Sequence, residues 1–194
     1  MLYWHPMRKH KDGLIILLVL LTSALFALSF EWRDESYRVY SAAVHRFQQS
    51  YGAPGGMVFV ADSTDNRCYP HSGDGRGPNQ SAISWRGYQE CMAQLRPQKE
   101  TQADYESANL HSHKLKAKFS LPNYQLLGPE DKAGAGELIF LSAVGFNRDK
   151  TQALVTVNFQ WASVDYLLEK SPDTQHPWIV VRQSEGRGGM ERAD

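Results

Sequence analysis

The chain has 194 residues, of which 42% are apolar and five are tryptophan, a length and composition that suit one buried core and exclude a wholly disordered protein. Its 21 lysines and arginines balance 21 aspartates and glutamates. Because a neutral chain lacks the basic field that neutralises phosphate groups, we expect no nucleic acid partner.

The first predicted element is the uncharged run Leu14–Phe30, with the sequence LIILLVLLTSALFALSF. As a helix it would span about 25 Å, close to the ~30 Å thickness of the hydrocarbon core of a membrane. Arg8, Lys9 and Lys11 precede it, and cations at this position stay on the cytoplasmic side. The run therefore predicts a single-pass membrane anchor with the rest of the chain on the extracytoplasmic, periplasmic side.

A cleaved signal peptide is the alternative interpretation of the same run. Ala27 and Ser29 have the small side chains and the spacing that a signal peptidase reads, which would place cleavage before Phe30 and release the remainder. Either way, residues 1–30 form the cytoplasmic n-region and membrane segment. Residues 31–184 then form an extracytoplasmic domain, and residues 185–194 form a flexible tail.

The two cysteines, Cys68 and Cys91, both follow the membrane segment. In an oxidising compartment they can form a disulfide, which by chain entropy would stabilise the fold by about 3 kcal/mol. Two free thiols are the alternative. A pair of cysteines supplies only half of a zinc site, so we expect neither a metal nor another cofactor.

The domain begins with an amphipathic helix over Glu31–Tyr51, and Gly52–Gly56 ends it. Its apolar residues recur at three- and four-residue steps: Tyr37, Tyr40, Ala43, Val44 and Phe47. Met57–Ala61 is a short apolar run typical of a buried strand. Asp62–Gln80 is rich in turn-forming residues and predicts a long loop.

Two more helices and a sheet complete the predicted domain. Trp85–Leu95 is one helix, and another begins with Thr101 as its N-cap and continues to about His113. Four strands follow, over Glu137–Phe146, Gln152–Trp161, Val164–Lys170 and Trp178–Gln183, joined by short turns. The expected fold is α+β, with helices packed on one face of a C-terminal antiparallel sheet in the manner of a cystatin-like or NTF2-like cone.

Several short motifs occur in a fixed order from residue 37 to residue 182. They include Ser142 with Gly145-Phe146-Asn147, Thr151 with Ala153-Leu154-Val155, Tyr166 to Lys170, and Trp178 to Val180. In this order the chain resembles a group of uncharacterised bacterial exported or membrane-anchored domains. It departs from them at Gln160–Ser163, where they often carry a glycine- or cysteine-bearing turn. The resemblance implies an extracytoplasmic domain and no established activity.

Asp62 and Asp65 are the candidate acid–base pair. They follow the buried strand at the start of the long loop, where two carboxylates could act as general acid and general base. Aspartate at such a position more commonly bonds nearby backbone amides and fixes a turn. His111 and His113 are candidate metal ligands only on a strand, because on a helix their rings diverge by about 200°.

Trp161, Tyr166 and Trp178 are the candidate binding residues. Aromatic side chains with polar tips can form a binding patch on a sheet, although they are more often part of the core. Together these patterns predict a non-enzymatic, membrane-tethered module that binds a protein or an envelope component. The alternative is an extracytoplasmic hydrolase that uses Asp62 and Asp65 beside the loop at residues 62–80.

We predict that the C-terminus lies outside the cytoplasm, because the cations before Leu14 hold the N-terminus inside. Alkaline phosphatase fused after Asp194 should be active in a bacterial host, and green fluorescent protein fused there should not fluoresce. The same reporters fused after Gly13 serve as controls and should give the opposite result. Fluorescence from the fusion after Asp194 would contradict this topology.

Overall fold

A computed structural model describes residues 35–52, 55–65, 85–131, 133, 137–159 and 162–187. The chain divides into two compact units, Met1–Ser36 and Tyr37–Asp194, and almost all of the described residues belong to the second. The predicted membrane segment Leu14–Phe30 lies outside the described residues. Within the described ranges, no helix is both long and apolar enough to cross a membrane.

Three helices belong to the described part of the chain. They are α1 over residues 35–50, α2 over Trp85–Leu95 and α3 over Lys99–Ala108. The described part of α1 is amphipathic as predicted, and α2 has the predicted bounds. The buried face of α1 repeats every three or four residues, at Val39, Tyr40, Ala43, Val44 and Phe47.

The predicted start of α3 is wrong, because Thr101 is not its N-cap. The helix begins at Lys99 with Gln98 at the cap position. Thr101 is fully buried in the first turn, and its hydroxyl donates to Oε1 of Gln152 at 3.1 Å. The backbone N–H of Gln98 donates to the same oxygen at 2.7 Å, so a strand side chain satisfies the helix start.

The predicted end of α3 at His113 is also wrong, because the helix stops at Ala108. Asn109 is the reason. Its buried amide Nδ2 donates to the carbonyl of Tyr105 at 2.8 Å and to that of Ala143 at 3.1 Å. Its Oδ1 accepts from the N–H of Ala143 at 2.8 Å. A side chain that bonds its own helix and a neighbouring segment in this way ends the helix there.

Seven strands form one mixed sheet in the order β2-β1-β3-β5-β6-β7, with β4 beside β5. Their ranges are β1 Val58–Ala61, β2 Tyr124–Leu127, β3 Glu137–Leu141, β4 Gly145–Phe146, β5 Gln152–Phe159, β6 Ala162–Lys170 and β7 Trp178–Arg187. The α+β class is confirmed, and β3, β5, β6 and β7 are antiparallel neighbours as predicted. The predicted strand Glu137–Phe146 is instead divided into β3 and β4, which pair separately with β5. The sheet is not wholly antiparallel, because β1 pairs in parallel with β2 and β3.

Helices cover both faces of the sheet, which corrects the prediction that they cover one. Successive side chains of a strand point to opposite faces. Val155 and Val157 of β5 belong to the same apolar cluster as Phe47 of α1. Leu154, which directly precedes Val155 and so points to the opposite face, belongs to a second cluster with Tyr105 of α3 and with residues of α2. The domain is therefore a three-layer arrangement with α1 on one side and α2 and α3 on the other.

Gly145 marks the closest approach of α3 to the sheet. A Cβ atom at this position would lie 2.3 Å from the backbone nitrogen of Tyr105 and 2.4 Å from its Cα. The neighbouring N–H of Phe146 donates to Oδ2 of Asp104 at 2.8 Å, which fixes the same contact. Glycine is therefore required where β4 meets α3.

We predict that Gly145→Ala lowers the free energy of unfolding by about 3 kcal/mol, because the added methyl group meets helix backbone that cannot move aside. Urea unfolding followed by circular dichroism measures the change. Gly128→Ala is the matched control. A Cβ there would be 3.3 Å from a side-chain oxygen of Asp131, which can rotate, so the expected loss is about 1 kcal/mol or less. Equal losses in both variants would contradict the close approach.

Candidate functional site

A cleft of about 1100 Å³ opens between α1 and the hairpin loop that joins β6 to β7, at residues 171–177. α1 contributes side chains one turn apart, among them Arg38, Ala42 and His45, so the helix face turned away from the core forms one wall. The loop and the first residues of β7 form the opposite wall. A volume of this size is sufficient for a drug-sized ligand or a short peptide.

The hairpin loop has a defined shape because its polar residues bond its own backbone. Oδ1 of Asp173 accepts from the N–H of Gln175 at 2.9 Å, and the N–H of Asp173 meets the hydroxyl of Ser171 at 3.1 Å. Pro172 and Pro177 flank these turns and keep the two strands from extending through the loop. The wall of the cleft is thus built locally by turn chemistry.

The cleft carries more positive than negative charge. Arg38, Arg46 and Lys170 line it as permanent cations, whereas Asp173 is the single carboxylate among its described lining residues. The backbone N–H of Gln175, followed by the His176 side chain, holds the pKa of Asp173 below its usual range. Asp173 is therefore ionised at neutral pH, and the three cations still outnumber it.

The floor of the cleft is apolar. Trp178 is buried, and its ring lies 5.9 Å from the Phe146 ring and 5.9 Å from Nζ of Lys170. Ile179, the next residue of β7, is 47% exposed. The cleft therefore combines a buried aromatic base with cations, which suits a ligand that has an anionic part.

A second cluster of titratable side chains is buried where α2 and α3 pack on the sheet. The hydroxyl of Tyr105 lies 2.6 Å from Oγ1 of Thr156, which donates to Oδ1 of Asp165 at 2.5 Å. The Cys91 thiol of α2 bonds the same carboxyl group, and Ser184 of β7 bonds the thiol. The cluster links α2 and α3 to three adjacent strands, which are β5, β6 and β7.

Burial raises the pKa of Asp165 from its ordinary value of 3.8 to about 6, even though the Thr156 and Cys91 hydrogen bonds act in the opposite direction. Burial likewise raises the pKa of the Cys91 thiol. Asp165 is only 3% exposed, so a substrate in solvent does not reach it. The arrangement places a titratable carboxyl group inside the domain rather than presenting an acid to a ligand.

The two candidate acid–base carboxylates have different partners. Asp62 forms an ion pair with Lys114, and its backbone N–H bonds the carbonyl of Leu127 in β2. Asp65 is buried, and its Oδ2 accepts from Nδ2 of Asn158 in β5 at 3.3 Å. The order of strands places β2 and β5 on opposite sides of β1, so the backbone of Asp62 bonds on one side of β1 and the carboxylate of Asp65 bonds on the other.

Of the three candidate aromatic residues, two are described and both are buried. Tyr166 is fully buried in the apolar cluster beneath α1, and its hydroxyl has no hydrogen-bond partner among the described residues. Burial raises the pKa of this hydroxyl. Trp178 is 3% exposed and contributes to the cleft floor. Trp161 lies outside the described residues.

The remaining candidates are two histidines and two cysteines. His111 and His113 are exposed beyond the end of α3, and a ring nitrogen of His113 lies 3.2 Å from the carbonyl of Ala108. Across the described ranges, no three histidine, cysteine or acidic side chains could jointly hold a metal ion. Cys91 is a buried free thiol in this structure, whereas Cys68 lies outside the described residues, so their disulfide stays a prediction.

The cleft cations were not among the sequence candidates, and only part of their arrangement has a sequence signal. Arg38, His45 and Arg46 lie on the polar side of the amphipathic α1 pattern, where charge ordinarily indicates nothing more than solvent exposure. Lys170 ends a strand far away in the sequence. Comparison with protein-family models, curated proteins and solved structures finds no match for the chain. Function is therefore inferred from the sites themselves.

We predict that Asp165 makes the domain less stable as pH rises from about 4 to about 6. Over that interval the folded state keeps the proton that the unfolded state releases, and above it the ionised carboxylate remains buried. Asp165→Asn should remove this decline. Between pH 3.5 and pH 7.5, the difference in unfolding free energy between the variant and wild type should therefore shift by up to about 3 kcal/mol in favour of the variant.

Chemical unfolding across this pH range measures the effect. Asp149→Asn, on the exposed turn before β5, is the matched control and should follow the wild-type pH profile. If Asp165→Asn also followed the wild-type profile, the group would not hold a proton in the folded state.

Proposed function

We propose that this chain is a membrane-tethered domain on the extracytoplasmic side that binds an anionic protein or envelope component in the cleft between α1 and the β6–β7 hairpin. The cleft is the observation that carries the proposal. It combines a ligand-sized volume with three permanent cations against one carboxylate. The cationic N-terminal flank and the apolar run Leu14–Phe30 support the tether.

The positions of the charged groups favour ligand binding in the cleft over a reaction that uses the buried Asp165. Arg38, Arg46 and Lys170 line the cleft, where an anion can reach them from solvent. Asp165 has the strongly raised carboxyl pKa but lies within the packed interface. A ligand in the cleft therefore meets side chains suited to ion pairing and hydrogen bonding, with the guanidinium groups offering paired donors.

The proposal also includes a more specific relationship between this fold and known folds. A helix lying along the antiparallel β3, β5, β6 and β7 supports a cystatin-like or NTF2-like relationship, in which a helix crosses a curved sheet. The parallel strands β1 and β2 are an addition to that pattern.

The experiment uses the full-length protein in detergent micelles and hexaglutamate as an anionic probe. Isothermal titration should show binding that weakens as salt rises, because the contacts are ionic. Replacing both Arg38 and Lys170 with glutamine should weaken binding about tenfold, since each partly exposed ion pair is worth up to about 1 kcal/mol.

The matched control replaces one arginine and one lysine elsewhere. Lys99 and Arg148 are exposed at the start of α3 and on the turn after β4, on the side of the sheet away from α1. Changing both to glutamine should leave the affinity for hexaglutamate within about twofold of wild type. Equal losses in the two double variants would show that only the overall charge attracts the probe, and the cleft would not be the site.

A further inference from the structure

The wall of the cleft opposite α1 includes β7, the outermost strand of the sheet in the part of the chain that the structure describes. β7 is the last strand in the sheet order and spans ten residues, Trp178–Arg187. Its first three residues line the cleft, and Ile179 and Val181 are exposed by 47% and 40%. A cleft bounded by an edge strand on one side and a helix on the other has the geometry in which proteins bind an extended peptide as an additional strand.

The register of the β6–β7 hairpin shows which backbone groups face the open edge. The N–H of Ser171 donates to the carbonyl of Pro177 at 2.9 Å, so these two residues are a hydrogen-bonded antiparallel pair. Because such pairs alternate, Ile179 directs its N–H and C=O toward β6. Val180, one residue further, directs its N–H and C=O away from β6 toward the edge.

Both ends of the available edge are bounded. The hairpin loop closes it before Trp178. Beyond Val181, α1 reaches across to β7, where Nε of Arg46 donates to Oε1 of Gln183 at 3.4 Å and the Tyr51 hydroxyl bonds Glu185. From Trp178 to Val181 a strand covers about 10 Å, enough for three or four residues of an added strand.

The two faces of an added strand would meet different surroundings. Trp178 and Val180 pack toward α1, so alternate residues of the peptide on that side would face Arg38 and Arg46. The other alternate residues would lie beside the exposed side chain of Ile179. Acidic residues suit the first face by charge and apolar residues suit the second, so the structure favours a peptide in which the two alternate.

We infer that the cleft binds an acidic peptide segment in extended conformation, added to β7 at Trp178–Val180, with acidic side chains toward α1 and apolar side chains toward Ile179. This rests on the proposed function of the cleft as an anion-binding site. The backbone of Val180 supplies hydrogen bonds, and the cations of the cleft select the sequence.

The test uses three acetylated hexapeptides, in which glutamate alternates with valine, lysine alternates with valine, or six glutamates follow one another. The full-length protein in detergent should bind the glutamate–valine peptide at least threefold more tightly than hexaglutamate and should not bind the lysine–valine peptide. Two further peptides carry N-methyl groups on every glutamate nitrogen or on every valine nitrogen of the glutamate–valine sequence.

In an added strand, one alternating set of N–H groups faces β7 and the other faces solvent. One N-methylated peptide should therefore lose about tenfold in affinity, the effect of about two backbone hydrogen bonds, while the other should keep its affinity. Loss on glutamate methylation would mean antiparallel addition, and loss on valine methylation would mean parallel addition. Both results support the inference.

Two outcomes would overturn it. Equal affinities of the two N-methylated peptides, with the Arg38 and Lys170 double variant still impaired, would leave an anion site that does not use the strand edge. A dimer in detergent with no binding of any peptide would assign the edge of β7 to a second copy of the chain. An unchanged affinity for hexaglutamate in the Arg38 and Lys170 double variant would instead count against the proposed function itself.

Discussion

The sheet is covered on both faces, and this constraint governs most of the structure. Along β5 every residue from Gln152 to Val157 is buried, because α1 lies on one face while α2 and α3 lie on the other. A strand in that position cannot expose a polar side chain to water. The face beneath α1 is filled with apolar and aromatic side chains, whereas the face beneath α3 includes polar ones that must find partners within the protein.

Those partners attach the helices to the sheet. Thr156 bonds Tyr105 of α3 through its hydroxyl, and its backbone N–H donates to Oγ of Ser142 at 2.8 Å. Gln152 accepts from the N-terminus of α3, and Asp165 bonds the Cys91 thiol of α2. Directional bonds of this kind fix where a helix lies along the sheet, which apolar contact alone does not. The raised pKa of Asp165 is the electrostatic consequence of placing such a bond inside the core.

The sequence predicts the elements whose periodicity extends over enough residues. α2 and the long antiparallel strands follow from patterns of six or more residues, whereas the four-residue β2, Tyr124–Leu127, has no pattern of its own and forms by parallel pairing with β1. Thr101 resembles an N-cap because an acidic residue follows three positions later, yet the hydrogen bond from Gln152 places the helix start two residues earlier. The second helical layer was missed because alternation shows burial but not what covers each face.

The cleft could not be predicted, since its walls are about 130 residues apart in sequence and no local pattern connects the polar face of α1 to the hairpin loop.

The location of the cleft follows from how the two edges of the sheet are protected. One edge, β2, is only four residues long, and short edge strands resist unwanted pairing. The other edge, β7, is long, but it is interrupted by a bulge between Leu167 and Leu168 of its partner strand β6. Beyond the bulge, helix contacts hold β7: the Arg182 guanidinium donates to the carbonyl of Leu95 at 2.8 Å. The cleft lies beside the first residues of β7, where the backbone of Val180 faces away from β6 and the cations of α1 lie on the opposite wall.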